Sequence, residues 1–133
     1  MNTIHVNAMP QAVHLAAPLP GLPGHDEFSL TALDVTGVLF ALRSLPADDS
    51  SIRLFVVDPA AFFPDYAPTV RADVRASIGA TGGAVATLVV VRPGENGDAP
   101  TANLLAPLVV DTATGNAVQT VLDEDWPLRA PLG

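Results

Sequence analysis

The sequence predicts a mainly β fold: a small antiparallel barrel or sandwich of about seven to eight strands with one short helix. The apolar segments are short, rich in Val and Leu, and separated by Gly, Pro, Asp and Asn, which is typical of strands joined by turns. The 133 residues match the size of one domain, predicted to span residues 1–133. Since 49% of the residues are hydrophobic and 15% are charged, we expect a packed core rather than disorder.

Two kinds of apolar pattern predict the strands. In "EFSLTALD", Phe28, Leu30 and Ala32 alternate with polar residues, the period-two pattern of a strand with one buried face. "IRLFVVD" and "VATLVVV" are nearly continuous apolar runs, which predict strands covered on both faces or placed at the centre of a closed sheet. The predicted strands lie near Ala12–Ala16, Glu27–Asp34, Val38–Ser44, Ile52–Asp58, Ala84–Arg92, Thr101–Asp111 and Ala117–Leu122.

One segment, "VRADVRASIG", has a helical pattern instead. Val70, Val74 and Ile78 recur at four-residue spacing with polar residues between them, which predicts a helix of about two turns. Gly79 stands where a left-handed residue commonly ends a helix. Because so short a helix is not stable alone in water, its apolar stripe is expected to pack on the sheet.

Three loops are marked by their turn residues. "PLPGLPG" at Pro18–Gly24 is excluded from a central strand, because proline donates no hydrogen bond to a ladder. "RPGENGDAP" at Arg92–Pro100 is a polar loop between two strong strands. Gly115 and Asn116 in "DTATGNA" suit a hairpin turn.

The charge balance bears on the class of partner. The net charge is −8, all six basic residues are arginines, and they are scattered along the chain, so we expect no direct binding to nucleic acid. An acidic surface fits a basic protein partner, although solubility alone is a sufficient reason for acidity. The sequence has neither the start of a signal peptide nor an apolar run of the roughly 20 residues that a membrane span needs. The expected location is the cytoplasm, with no membrane partner.

Signatures of catalysis, metals and cofactors are not found in the sequence. Cysteine is absent, and His5, His14 and His25 have no partner at metal-ligand spacing. His14 could meet His25 and a carboxylate such as Asp26 in space, but nothing in the sequence requires it. No serine lies in a nucleophile elbow, and "GATGG" lacks the lysine of a phosphate loop. The acidic run Asp123–Asp125 is interpreted as a solvated turn in preference to a cation site. We therefore expect no enzyme activity, no metal and no cofactor.

The segment "DPAAFFPDY", Asp58–Tyr66, concentrates aromatic rings next to turn-forming residues. Asp58 before Pro59 is predicted to end a strand and start a turn by accepting hydrogen bonds from nearby backbone N–H groups. Phe63 precedes Pro64, which favours an extended, stiff corner. The favoured interpretation is that the rings plug one end of the barrel; the alternative is that at least one ring faces outward and anchors a partner. Likewise, Trp126 is interpreted as a lid on the core in preference to a contact residue.

Several motifs in order give the chain a family resemblance. "VVDPAAFFPDY", "NLLAPLVVD" and "QTVLDEDWPLRAPL", together with the early "PGLPG" loop and "LFALRSL", resemble the flagellar assembly factor FliW family. The resemblance covers roughly Val13 to Leu132. The chain departs from the family pattern in three segments: His25 and Asp26 stand where the family usually has an aromatic residue and an acid, Arg43 stands where it usually has glutamine, and Ala67 stands where an acid often follows the tyrosine.

The resemblance implies a small cytoplasmic β-barrel protein without catalysis that binds two partners. One is the carbon storage regulator CsrA, a dimeric RNA-binding translational repressor, and the other is flagellin. Flagellin held by the protein leaves the repressor free, and secretion of flagellin releases the protein to sequester the repressor. The first candidate partner surface comprises Asp58, Phe62, Phe63, Asp65 and Tyr66. The second is Asn103 in "TANLLAP", whose amide has the alternative of a local bond to backbone.

A second class of function stays open from the residues alone. A small β-barrel enzyme or ligand-binding module could use Asp58, Asp65 or His25 in a cleft, because one scaffold can host many functions. A cleft lined by carboxylates with strongly shifted pKa values would favour that alternative. A filled barrel with an exposed apolar patch would favour a binding protein.

Overall fold

Nine strands form one sheet, and most of that sheet is a closed barrel. The computed structural model describes residues 9–19, 22–46, 50–80 and 85–132. The strands are β1 (Ala12–Leu15), β2 (Glu27–Ala32), β3 (Leu39–Ser44), β4 (Arg53–Val57), β5 (Val85–Arg92), β6 (Thr101–Ala102), β7 (Leu108–Asp111), β8 (Asn116–Gln119) and β9 (Ala130–Pro131). A 3₁₀ turn at Pro59–Ala61 and one short helix, α1 (Ala72–Ser77), lie between β4 and β5.

The barrel closes through β5, which pairs with strands on both sides. The order around the barrel is β4-β3-β2-β1-β8-β7-β5, and β5 pairs back to β4. β6 pairs with the edge of β5 that also pairs with β7, and β9 pairs with the far side of β6. These two strands therefore extend the sheet beyond the barrel. The pairings are antiparallel, except that β1 runs parallel to β8. The mainly β prediction with a barrel is confirmed.

The barrel interior is filled by alternate residues of its seven strands. Phe28, Leu42, Leu88, Leu108 and Val110 are among the fully buried side chains of this inner cluster. The intervening residues face outward, as expected for the two-residue side-chain period of a strand. The outer wall is covered at two places. One is covered by α1 and the other, described below, by the aromatic segment Asp58–Tyr66.

Helix α1 packs its apolar stripe on the outer wall of the barrel. Val74 and Ile78 are buried against Val109, with Val70 partly buried beside them. Gly79 has φ +75° directly after the helix, the left-handed conformation expected there. The helix prediction is therefore confirmed in position and packing, although the helix has six residues, Ala72–Ser77.

The β7–β8 hairpin depends on Gly115. This residue has φ +83°, and an added Cβ would lie 2.2 Å from the Ala12 carbonyl oxygen. The Gly115 carbonyl in turn accepts a hydrogen bond of 2.8 Å from the His14 N–H. The predicted turn glycine is thus confirmed, and it also lets the hairpin approach β1 closely enough to start the parallel pairing.

Two strand predictions differ from the structure. The predicted strand Thr101–Asp111 is two strands, β6 and β7, because Pro107 has no N–H and the Ala106 N–H is taken by the Asn103 side chain at 3.0 Å. The sequence does not predict β9, whose two residues are too few to show a period. In the "PLPGLPG" loop, Pro20 and Gly21 lie outside the described residues, while Leu22 N–H donates to the Leu19 carbonyl at 3.0 Å.

Candidate functional site

The aromatic segment Asp58–Tyr66 consists of two successive turns. Asp58 accepts a hydrogen bond of 3.1 Å from the Ala60 N–H and so caps the 3₁₀ turn, as its turn chemistry predicts. Phe63 N–H donates to the Pro59 carbonyl at 2.8 Å, and Tyr66 N–H donates to the Phe63 carbonyl at 2.9 Å. The prediction of an extended corner is therefore wrong for the segment as a whole. Pro59 stands at the first position of the 3₁₀ turn, where proline favours helical turning. The turn is therefore already formed ahead of Phe63, the residue that Pro64 restricts.

Two of the three rings pack on the outside of the barrel. Phe63 and Tyr66 are partly buried in what we call the outer cluster. Its buried members are Val57, Val89, Ala102, Leu104 and Ala130, and its partly buried members are Leu39, Phe63, Tyr66, Val91, Trp126 and Leu132. Val57 and Val89 alternate along β4 and β5 with residues of the inner cluster, so the rings cover the barrel wall. The interpretation that the rings plug one end of the barrel is wrong in location, although it is right that these two rings are packed.

Tyr66 contacts two later parts of the chain from within the outer cluster. Its hydroxyl donates a hydrogen bond of 2.7 Å to the Leu104 carbonyl, 38 residues further along the chain. Its ring meets the Trp126 ring edge-on, with centroids 4.7 Å apart and planes at 84°. Burial, and secondarily the negative charge of Glu124, raises the pKa of Tyr66 to about 12. Tyr66 therefore fastens the aromatic segment to the C-terminal part of the chain.

Phe62 is the ring that faces outward. It is 44% exposed, and its centroid lies 6.5 Å from that of Phe63. Asp65, in the second turn of the same segment, is also exposed. Of the residues predicted for the first partner surface, Phe62 and Asp65 present exposed side chains, whereas Asp58 caps a turn and Phe63 and Tyr66 support the segment from beneath.

Asn103 lies on the opposite face of the sheet from the aromatic segment. Its neighbour Leu104 belongs to the outer cluster, while Asn103 lines a pocket together with Val90, a residue packed on the inner cluster. The Asn103 amide oxygen accepts the Ala106 N–H, so the alternative of a local backbone bond is confirmed for that oxygen. The two candidate surfaces predicted from the sequence are therefore separate in space.

The acidic run Asp123–Asp125 attaches the C-terminal segment to the chain ahead of α1. Glu124 accepts hydrogen bonds from the Thr69 N–H at 3.0 Å, the Thr69 hydroxyl at 2.9 Å and the Trp126 indole N–H at 3.1 Å. The backbone bond from Thr69, followed by the bonds from Trp126 and the Thr69 hydroxyl, lowers the pKa of Glu124 below its usual value.

Asp123 extends this attachment with an ion pair to Arg71 at 3.1 Å. Asp123 and Asp125 are exposed, as predicted for a solvated turn, and the described residues hold no group of three or more side chains suited to a metal ion. The contacts of Glu124 with Thr69 were not predicted. A partner 55 residues away leaves no local signal in the sequence.

Trp126 matches its interpretation as a lid. The indole is partly buried, packs on the outer cluster and covers Tyr66. Since its N–H is bonded to Glu124, the polar group of the ring is satisfied where it lies.

The residues suggested for a catalytic cleft do not come together. Asp58 lines a shallow groove whose other described residues, from Met9 to Phe40, include no second carboxylate and no histidine. His14 pairs with Glu27 rather than with His25 or Asp26. None of the four main pockets among the described residues combines Asp58, Asp65 and His25.

The fold and this site define a class of protein: a small closed β-barrel whose outer wall carries a stiff aromatic segment with one ring turned outward. Within the described residues, no helix is long and apolar enough to cross a membrane.

Comparison with known proteins identifies the family. The model of the FliW protein family matches residues 1–132, and the chain belongs to this family of flagellar assembly factors. The flagellar assembly factor FliW of Heliobacterium modesticaldum is 32% identical over 109 residues, which cover 80% of this chain and 69% of that one. That of Syntrophus aciditrophicus is 32% identical over 114 residues, covering 82% of this chain and 71% of the relative.

The fold agrees with a solved structure. The crystal structure of a flagellar assembly factor FliW superposes with a TM-score of 0.79 at 23% identity, covering 97% of this chain and 88% of the other. At that identity the likeness supports the fold alone, namely the closed barrel with its two additional strands and short helix.

Proposed function

We propose that this flagellar assembly factor acts in the cytoplasm, without catalysis, by binding two proteins: the translational repressor CsrA and flagellin. The observation that carries the proposal is membership of the FliW family over residues 1–132. Flagellin bound to the protein leaves the repressor free to silence translation. Once flagellin has been secreted, the released protein sequesters the repressor, and flagellin synthesis resumes.

The electrostatics of the chain favour a basic protein partner. The net charge of −8 attracts a basic RNA-binding repressor and speeds its encounter, and it repels nucleic acid itself. Charge of this kind sets the rate and selectivity of association more than its strength. The strength of binding must come from a buried apolar contact.

Phe62 and Asp65 supply such a contact surface. Phe62 stands on two hydrogen-bonded turns that are packed on the barrel, so binding a partner requires little further ordering of the backbone. An aromatic ring held in this way is the type of residue that dominates binding energy at interfaces. The exposed carboxylate of Asp65 in the second turn adds a complement to a basic partner.

The test is pull-down and calorimetry of the folded protein with purified CsrA and with purified flagellin. Phe62→Ala is expected to weaken binding of at least one partner by roughly tenfold or more, as truncation of an interface aromatic does. Leu33→Ala is the matched control: Leu33 is exposed to 42%, nearly the same as Phe62, and does not belong to the outer cluster.

Tyr66→Ala is unsuitable for this test, because it also removes the bond to Leu104 and the contact with Trp126. A wild-type protein that bound neither partner would refute the proposed function. Unchanged affinity of folded Phe62→Ala for both partners would instead remove the aromatic segment from the interface. Adding the partners together, in either order, distinguishes competition for one surface from independent binding.

A further inference from the structure

A second surface, unrelated to the aromatic segment, is a pocket at the mouth of the barrel. Its volume is about 340 Å³, within the range of small-molecule sites, and barrel mouths are a common place for such sites. We call it the barrel-mouth pocket. Its lining residues are Leu19, Leu22, Leu54, Val90, Arg92, Thr101, Asn103, Gln119, Leu128 and Arg129.

The strand register places polar side chains at this pocket on the same face of the sheet as the barrel interior. Phe55 pairs with Val91 and Arg92 pairs with Thr101, so Leu54, Arg92 and Thr101 form one row across β4, β5 and β6. The pairing of Ala102 with Ala130 likewise places Asn103 beside Arg129 in the neighbouring row. Both rows continue the face that lines the barrel, but β6 and β9 lie beyond its closed part.

The floor of the pocket is apolar. Leu54 and Val90 are only partly buried and pack on the inner cluster, with Leu22 beside them. At the rim, Leu128 is 55% exposed. An apolar chain resting on this floor would remove both its own surface and these side chains from water.

The rim of the pocket is cationic. Arg92 and Arg129 are both exposed, and within the described residues neither forms an ion pair. Among the described residues, no aspartate or glutamate lines the pocket. Two strand spacings, roughly 10 Å, separate the two arginines across the sheet, a gap that two long side chains can close around one small anion.

Asn103 adds hydrogen-bond donors between the two arginines. Its amide oxygen is bonded to Ala106, which leaves the two amide N–H donors for the pocket. The Thr101 hydroxyl lies in the adjacent row. The polar side of the pocket therefore offers mainly donors, the arrangement that suits a carboxylate.

We propose that the barrel-mouth pocket binds a small amphiphilic anion: a carboxylate held by Arg92, Arg129 and Asn103, with a medium-length apolar chain on the Leu54–Val90 floor. The inference rests on the pocket alone and does not depend on the proposed function, because none of these side chains belongs to the aromatic segment.

The experiment is isothermal calorimetry of the full chain with octanoate, compared with acetate, octanol and octylamine. Acetate has the head group without the chain, octanol the chain without the charge, and octylamine the opposite charge. Octanoate is expected to bind at least about tenfold more tightly than each of the three, and more weakly as salt is raised.

Two variants test the assigned contacts. Arg92→Gln and Arg129→Gln are each expected to weaken octanoate binding by roughly fivefold to tenfold, since each removes a charge-assisted hydrogen bond. Arg43→Gln is the matched control, because Arg43 is an exposed arginine of β3 that does not line the pocket. Both pocket arginines have exposed side chains, so the variants are expected to fold, and circular dichroism verifies this.

The outcomes separate clearly. Loss of affinity in both pocket variants but not in Arg43→Gln supports the site. Three results would each overturn the proposal. Octanol could bind as tightly as octanoate, Arg43→Gln could lose as much octanoate affinity as the pocket variants, or octanoate could show no saturable binding at millimolar concentration.

Discussion

Removing the Tyr66 hydroxyl isolates one bond that joins the aromatic segment to the rest of the fold. Tyr66→Phe keeps the ring, its edge contact with Trp126 and its place in the outer cluster. It deletes only the donor that bonds the Leu104 carbonyl at 2.7 Å. The variant therefore tests whether this single contact stabilises the segment.

The expected loss follows from the burial of the acceptor. A net hydrogen bond contributes about 0.5–1.5 kcal/mol, and a buried acceptor left without a donor costs about 1–3 kcal/mol. Leu104 is only 3% exposed, whereas Tyr66 itself is partly exposed, so we expect a decrease of about 1–2 kcal/mol in the free energy of unfolding. For 133 residues, an unfolding entropy of roughly 0.28 kcal/mol/K converts this to a decrease of about 4–7 °C in Tm.

Thermal and urea unfolding followed by circular dichroism measure this loss. Thr31→Val is the matched control, because it deletes a hydroxyl from an exposed position on β2 and is expected to change stability by less than about 0.5 kcal/mol. The single tryptophan, Trp126, reports the same event locally through its fluorescence, since it lies against the Tyr66 ring.

The titration of Tyr66 provides a second readout of the same burial. Its folded pKa of about 12 lies above the ordinary value of 10.0, so the protonated form is favoured in the folded state. The stabilisation that comes from this difference in pKa between the folded and unfolded states is fully present below about pH 10. It is lost as the pH rises through about 12. Tyr66 is the only tyrosine, so the near-ultraviolet absorbance of tyrosinate reports this group alone.

Two results would refute this reasoning. One is a Tyr66→Phe variant with the same Tm as the wild type, which is the result expected for Thr31→Val. The other is a folded wild type whose tyrosine ionises at its ordinary pKa. Either result would mean that the segment is held by ring packing, with the hydroxyl in water.

Two further predictions concern Glu124 and Gly115. The folded pKa of Glu124 lies below its ordinary value of 4.5, so its stabilising contribution is present above that pH and is lost as pH falls through the lower folded pKa. Glu124→Gln should therefore show a shallower loss of stability in acid, measured by urea midpoints against pH; parallel curves for the two proteins would contradict this assignment. Gly115→Ala should lower stability by about 2–4 kcal/mol, through left-handed strain together with a clash on the Ala12 carbonyl. Gly97→Ala is its control, with φ +84° but open space around the added Cβ, and an equal loss in both variants would show that the clash contributes nothing.

Much of the fold could be predicted because the relevant signals are local. Phe28 and Leu30 alternate with polar neighbours, and this alternation alone indicates which face of β2 is buried. Gly79 and Gly115 mark places where the chain needs a positive φ, a property of the residue itself. Asp58 caps its turn with a backbone N–H two residues away, again within reach of local reasoning.

Local sequence signals could not predict where each ring of the aromatic segment lies in the fold. Phe62, Phe63 and Tyr66 look alike as sequence, yet one is exposed and two are packed on the outer wall. The difference depends on Leu104 and Trp126, which lie about 40 and 60 residues further along the chain. A prediction of turns cannot specify which ring meets a surface built by later strands.

By itself, the amino-acid sequence determined the type, position and buried face of most strands, the end of the helix, the overall negative charge and the family. Each of these depends on spacing, backbone preference or the order of motifs along the chain. Only the tertiary structure decided that Phe62 faces outward and that Arg92 and Arg129, which look scattered in the sequence, flank one pocket. The physical reason is that closing the barrel and adding β6 and β9 bring together side chains from distant strands, and contacts of that kind leave no periodic trace in the sequence.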